Sequence, residues 1–90
     1  MNRTVKDFLL DMLNAIEEVE EFTKGLTFED FVKDRRTINA VIRSLEVLGE
    51  AARRIPEEMR TRYSVIPWRG ITGMRDKLIH SYNGVDFTVV

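Results

Sequence analysis

Three side chains near the C-terminal end of the sequence have the properties needed for acid–base chemistry: Arg75, His80 and Tyr82. A guanidinium is a permanently charged donor, an imidazole titrates near neutral pH, and a phenol both donates and accepts hydrogen bonds. The three fall within eight residues, and His80 is the only histidine in the chain. This cluster is therefore the first candidate for a functional site.

The spacing of these residues limits how they can meet. A helix turns by about 100° per residue, so Arg75 and Tyr82 share a face, whereas His80 lies about 140° from Arg75. On one straight helix the three do not converge. Convergence requires that the helix end near His80, as Asn83-Gly84 permits, or that two copies of the helix meet at a two-fold axis. A dimer would also place two arginines beside one groove and create a local positive field.

The same residues have a purely structural interpretation as well. A histidine near a helix C-terminus often interacts only with the helix dipole, and a tyrosine before Asn-Gly often simply packs. Spacing alone leaves both interpretations of His80 and Tyr82 open.

Two further groups of charged residues have a similar ambiguity. Glu46 and Glu50, one helical turn apart, could orient Arg75 or bind a metal, but a solvated pair of carboxylates is the more common arrangement. The basic residues from Arg53 to Arg62 could guide a nucleic acid or form an exposed helix face.

Composition excludes several classes of site. Fourteen Lys and Arg against 15 Asp and Glu give a net charge of −1, so only a local patch could bind nucleic acid. The chain has no cysteine and one histidine, which argues against disulfides and zinc. It also lacks a long apolar run, a signal peptide and the common glycine-rich phosphate-binding motifs, so we expect a cytoplasmic protein with no membrane contact.

The 90 residues predict a single domain, 1–90, for which a dimer partner would be an advantage because so short a chain buries little surface. A helix is predicted from 5 to about 23, with Thr4 as N-cap, Asp7 three residues later and Gly25 closing the segment. Its apolar residues recur every three or four positions: Val5, Phe8, Leu9, Met12, Leu13, Ile16 and Val19.

The remaining elements are also predicted to be helical. Thr27–Asp30 repeats the start signal, and the apolar pattern then predicts one long helix over roughly 28–55. A short helical turn is expected at Pro56–Arg60, and another main helix begins at Pro67 and continues to Asn83-Gly84. The fold class predicted is therefore all-α.

The segment Trp68–Asp86, WRGITGMRDKLIHSYNGVD, resembles the HepT-like branch of the HEPN superfamily. That branch has Arg, four residues, His, one residue and Tyr, followed by a Gly-Val-Asp-like turn, and each of these positions is filled here. Leu48–Ala52 and Tyr63–Trp68 are similar to the family too. The resemblance covers essentially the whole chain and is more specific than Arg-x(4)-His alone.

The resemblance implies an up-and-down helical bundle that forms a homodimer with its Arg/His motifs facing across the two-fold axis. The family normally continues with another helix beyond the position of Val90, so we expect this bundle to lack its last helix or to be truncated before it. It also implies the toxin half of a toxin–antitoxin pair. The partner would be an MNT-type nucleotidyltransferase antitoxin, and the substrate RNA.

Two roles for the motif follow from this resemblance. In the first, His80 is a general base or acid and Arg75 holds the phosphate, so RNA is cleaved without a metal or a cofactor. In the second, the antitoxin transfers AMP to Tyr82 and blocks the groove. Glu50 and Asp76 are candidate supporting residues. The alternatives are a noncatalytic nucleotide-binding or adaptor subunit that docks the nucleotidyltransferase, and a structural helical dimer without a site.

Overall fold

The computed structural model describes residues 3–80, and side chains as far as residue 74. Within this range every regular element is a helix, which confirms the predicted all-α class. The helices are α1 (Val5–Thr23), α2 (Phe28–Lys33), α3 (Arg35–Arg53), α4 (Glu57–Arg62) and α5 (Trp68–His80). A membrane crossing would need a longer and more apolar helix than any in residues 3–80.

Helix α1 begins as its sequence predicts. The Asp7 amide donates to Thr4 Oγ1 at 3.3 Å, and the Thr4 amide donates to the Asp7 carboxylate at 2.9 Å. This reciprocal capping box satisfies amide donors that the first helical turn leaves without partners. The bond from the Thr4 amide holds the pKa of Asp7 below its usual value. After the helix, Gly25 has φ of +77°, a conformation that favours glycine.

The predicted long helix over 28–55 is wrong, because Asp34 divides it into α2 and α3. Its backbone is extended, with φ of −102° and ψ of 92°. Its carboxylate accepts hydrogen bonds from the Thr37 amide at 3.1 Å and from Thr37 Oγ1 at 2.7 Å. The carboxylate thus starts a new helix at the point where the apolar periodicity alone predicts continuation.

The core is centred on α3, with α1 and α5 packed against it. Val41 and Ala52 of α3 have no exposed surface, and Ile55, just past its end, is 1% exposed. The buried apolar cluster consists of Met12, Ala15, Phe31, Ile38, Val41, Leu45, Leu48, Ala51, Ala52, Ile55 and Trp68. The predicted all-α bundle therefore has α3 as its central helix.

Helix α1 buries only part of its predicted apolar stripe. Met12 and Ala15 are buried, and Val5, Phe8 and Val19 pack partly against the core. Three residues of the stripe remain exposed: Leu9 (36%), Leu13 (49%) and Ile16 (42%). The apolar stripe of α1 is wider than the surface of α1 that α3 covers, so the apolar residues at the margin of the stripe face outward.

The connection between α4 and α5 fixes the start of α5. Helix α4 follows Pro56, as the sequence predicts, and α5 follows Pro67. The buried Trp68 donates through Nε1 to the Tyr63 carbonyl at 3.1 Å, which ties the first residue of α5 to the end of α4. Trp68 therefore anchors the helix that carries the Arg/His motif.

Candidate functional site

Helix α5 carries the positions of Arg75, Asp76 and His80 on one continuous helix. His80 is five positions after Arg75, which corresponds to about 7.5 Å along the axis and about 140° around it. The side chains of all three residues lie outside the part whose side chains are described, and Tyr82 lies outside the described residues. Convergence of Arg75, His80 and Tyr82, through a helix end near His80 or through a second copy of the helix, stays a prediction.

Contacts with the core fix the rotation of α5. Trp68 is buried, and Ile71 and Met74 pack partly against the same apolar cluster. The position of Arg75 is four residues after Ile71, close to the packed face, whereas that of His80 is nine residues after Ile71, about 180° around the helix. The two motif positions are therefore on different sides of α5, one beside the core contact and one opposite it.

The two α3 carboxylates considered at this site have partners on their own helix. Glu50 accepts from Arg54 at 3.2 Å, and Glu46 lies 3.8 Å from Arg43. Among the side chains of residues 3–74, no group of three Asp, Glu, His or Cys residues is arranged to hold a metal ion. These contacts agree with the interpretation of Glu46 and Glu50 as carboxylates on a helix surface. A role of Glu50 in orienting Arg75 stays a prediction, because the Arg75 side chain lies outside the described part.

The family model described as "Ribonuclease HepT-like" matches residues 12–90, which include all of α5. The chain belongs to the HepT-like ribonuclease family. The resemblance predicted from the motif around Arg75, His80 and Tyr82 is thereby confirmed at the level of the family, including the all-helical fold of HEPN proteins.

Archaeal relatives support the same assignment to the HepT-like family. A "Probable ribonuclease HepT" of Thermococcus cleftensis is 51% identical over 90 residues, covering 100% of this chain and 82% of the relative. A "Putative RNase" of Methanocaldococcus jannaschii is 43% identical over 88 residues, covering 98% of this chain and 73% of the relative. No solved structure gives a significant match to this HepT-like chain.

The fold of this HepT-like chain also brings together two arginines that the sequence did not pair. The basic stretch from Arg53 to Arg62 is divided: Arg54 pairs with Glu50 at the end of α3, while Arg60 lies on α4. Arg60 and Arg69 line one groove between α4 and α5. Pro67, which lies between these two arginines and precedes α5, was the available signal, because proline marks a break between two helices.

Proposed function

We propose that this HepT-like chain is a metal-independent endoribonuclease and the toxin of a toxin–antitoxin pair. The observation that carries the proposal is the family match over residues 12–90, which includes one continuous helix bearing Arg75 and His80 at the family's spacing. The relatives at 51% and 43% identity have names that describe ribonucleases. The chemistry of the two residue types agrees with this activity.

Each residue has a definite role in the proposed cleavage. His80 removes the proton from the ribose 2′-hydroxyl or protonates the leaving 5′-oxygen, since an imidazole can act as either a general base or a general acid. Arg75 binds the phosphodiester through its planar guanidinium and stabilises the charge that develops on the phosphate oxygens. Asp76 and Glu50 are proposed as supporting residues. The reaction requires no metal, because the permanently charged guanidinium supplies the positive charge at the phosphate.

We further propose that the active form is a homodimer. The helix register supports this, because Arg75 and His80 occupy positions about 140° apart on one helix and cannot both face the same bound phosphate from a single straight copy. Two copies related by a two-fold axis can place Arg75 of one α5 opposite His80 of the other. Each phosphodiester would then bind between the two chains.

The test of catalysis uses the variants Arg75→Ala and His80→Ala, with Arg35→Ala, an exposed arginine of α3, as the matched control. We expect either site variant to lower RNA cleavage by about 10²- to 10⁴-fold, as loss of a general acid–base or phosphate-binding group does. Size-exclusion chromatography should show the same dimer for all four proteins, and EDTA should not lower the activity of the wild type. A wild-type dimer that binds its nucleotidyltransferase but never cleaves RNA would favour the adaptor function instead.

Regulation is proposed to act on Tyr82. The nucleotidyltransferase antitoxin would join the α-phosphorus of ATP to the Tyr82 phenolic oxygen and release pyrophosphate, placing a bulky anion beside the phosphate-binding groups. Mass spectrometry of the wild-type chain after incubation with its antitoxin and ATP should show one or more added AMP groups on a peptide containing Tyr82. Tyr82→Phe should remain unmodified and keep its ribonuclease activity; modification of that variant would contradict the assignment.

A further inference from the structure

A groove of about 890 Å³ separates α4 from the first turns of α5, away from the positions of Arg75 and His80. Its walls combine two arginines with hydroxyl side chains and the start of a helix. Arg60, Thr61 and Ser64 come from the α4 side, and Arg69 and Gly70 from α5. The groove therefore presents donors from two separate elements toward one space.

Arg60 has an unusual environment in the wall of this groove. Its Nε is buried and has no hydrogen-bond partner within the part of the chain that the structure describes. A buried donor without an acceptor is unfavourable, and such groups are rare in folded proteins. Because this Nε has almost no accessible surface, a ligand in the groove would contact Arg60 through the other two nitrogens of its guanidinium.

The charge of the groove favours an anion as that ligand. Among residues 3–74, no carboxylate forms an ion pair with Arg60 or Arg69, although Glu57 also lines the groove. The two arginines outnumber this one carboxylate, and a guanidinium matches the geometry of phosphate oxygens. The start of α5 adds the positive end of a helix dipole to the same space.

The groove is also aligned with the motif along α5. Arg69 and His80 are eleven residues apart, which places their backbone positions within about 20° of each other and about 16 Å apart along the axis. Gly73 lies between them on this face, and a Cβ atom placed there would meet nothing within 4 Å. An extended chain bound in the groove could therefore approach the helix closely at Gly73 on its way to the position of His80.

We infer that the groove bounded by Arg60 and Arg69 binds a backbone phosphate of single-stranded RNA at a distance from the scissile bond. This inference rests on the proposed ribonuclease function and assigns it a second phosphate subsite. The subsite holds the RNA by its backbone and contributes affinity without sequence preference. It extends the binding surface of each chain along α5 from the N-terminal end of the helix toward the Arg/His motif.

The test measures binding separately from cleavage. The probe is a fluorescent single-stranded oligonucleotide with 2′-O-methyl riboses, which cannot undergo attack by a 2′-hydroxyl. Anisotropy titrations at several salt concentrations compare the wild-type protein with Arg60→Gln, Arg69→Gln and the control Arg35→Gln. Arg69 is exposed, so its variant should fold normally even if Arg60→Gln does not. Circular dichroism checks the helical content of each protein.

We expect each groove variant to weaken binding of the probe by about tenfold at low salt and to reduce the salt slope by about 0.7 per lost contact, with Arg35→Gln unchanged. Equal affinities of the wild type and Arg69→Gln, or no binding of the probe by the wild type, would overturn the subsite. Displacement of the probe by inorganic phosphate at an equal concentration would also overturn the assignment to RNA backbone. Failure of the wild type to cleave ordinary RNA would refute the ribonuclease proposal. In that case, a loss of probe affinity in Arg60→Gln and Arg69→Gln would still support phosphate binding in the groove.

Discussion

The contact between α1 and α3 differs in kind from the junction between α4 and α5. In the first, apolar side chains such as Met12 and Leu45 are buried together, and the buried Ser44 hydroxyl donates to Glu18 at 3.2 Å. In the second, a groove is bordered by arginines, and the buried Arg60 Nε has no described partner. The side chains of the first region find their partners within the fold, whereas the second is the region for which we propose ligand binding. Substitutions should therefore affect stability in the first region and ligand binding in the second.

The largest effect on stability should come from the buried face of α3. Leu45→Ala removes a side chain that is 7% exposed and leaves a cavity in the buried apolar cluster, so we expect a loss of about 2–5 kcal/mol in the free energy of unfolding. The matched control is Leu13→Ala on α1, where the side chain is 49% exposed, and there we expect a loss of less than about 1 kcal/mol. Urea denaturation at a fixed protein concentration measures both.

Similar losses in the free energy of unfolding for Leu45→Ala and Leu13→Ala would contradict the distinction between a buried and an exposed leucine. They would show that the exposed flank of α1 is covered in solution and belongs to the stabilising region. Repeating the Leu13→Ala measurement over a range of protein concentrations would then reveal whether another copy of the chain is involved.

An intermediate effect is expected at Asp34, whose polar contacts are satisfied within the chain. Asp34→Ala removes the acceptor for the Thr37 amide and hydroxyl, and should lower the melting temperature by several degrees. Asp34→Asn is the control, because asparagine also caps helices well and should retain most of the stability. A melting temperature for Asp34→Ala equal to that of the wild type would show that the cap is unimportant.

The pH dependence of this cap follows from its hydrogen bonds. The Thr37 hydroxyl and amide hold the pKa of Asp34 below its usual value of 3.8. The folded state therefore favours the carboxylate, and its stabilising contribution is present above pH 4 or so and is lost as the pH falls through the lowered pKa. Asp34→Asn should lose less stability than the wild type over that acidic range in thermal melts. An equal acid sensitivity of both proteins would place the effect at other carboxylates.

The smallest effect should be a gain in stability at Gly73, on the open face of α5. Alanine has a better helix propensity, and a Cβ atom at this position meets nothing within 4 Å, so Gly73→Ala should stabilise the protein by about 0.5–1 kcal/mol. Thermal unfolding measures the change. A destabilised Gly73→Ala protein would mean that this face is closely packed, which would contradict an open path from the groove along α5.

Capping residues in the sequence predicted where helices begin more accurately than apolar periodicity predicted how far the helices continue. Thr4 and Asp7 form the expected capping box, and α1 ends at Thr23 as its pattern predicts. The break at Asp34 was missed, because the apolar periodicity continues across it, while the cap that Asp34 forms by accepting from Thr37 is a short-range polar contact. The exposed flank of α1 was missed for a different reason, since periodicity does not reveal how many neighbours a helix has.

The motif in the sequence names the candidate site, and the roles of its residues stay predictions. Spacing and residue type identified Arg75 and His80, and the continuous helix α5 agrees with their predicted placement on one helix. The groove that contains Arg60 and Arg69 depends on the turn between α4 and α5, and a contact between separate elements cannot be read from helical periodicity.

The proposed dimeric site is tested most directly by mixing two inactive variants. Arg75→Ala and His80→Ala chains are unfolded together, refolded as a mixture, and assayed for cleavage of single-stranded RNA beside each variant refolded alone. If Arg75 of one copy acts with His80 of the other, the mixed dimer contains one intact site and the mixture recovers a substantial fraction of the wild-type rate. A mixture that stays as inactive as its two components, while mass spectrometry shows that mixed dimers have formed, would contradict a site shared between two chains.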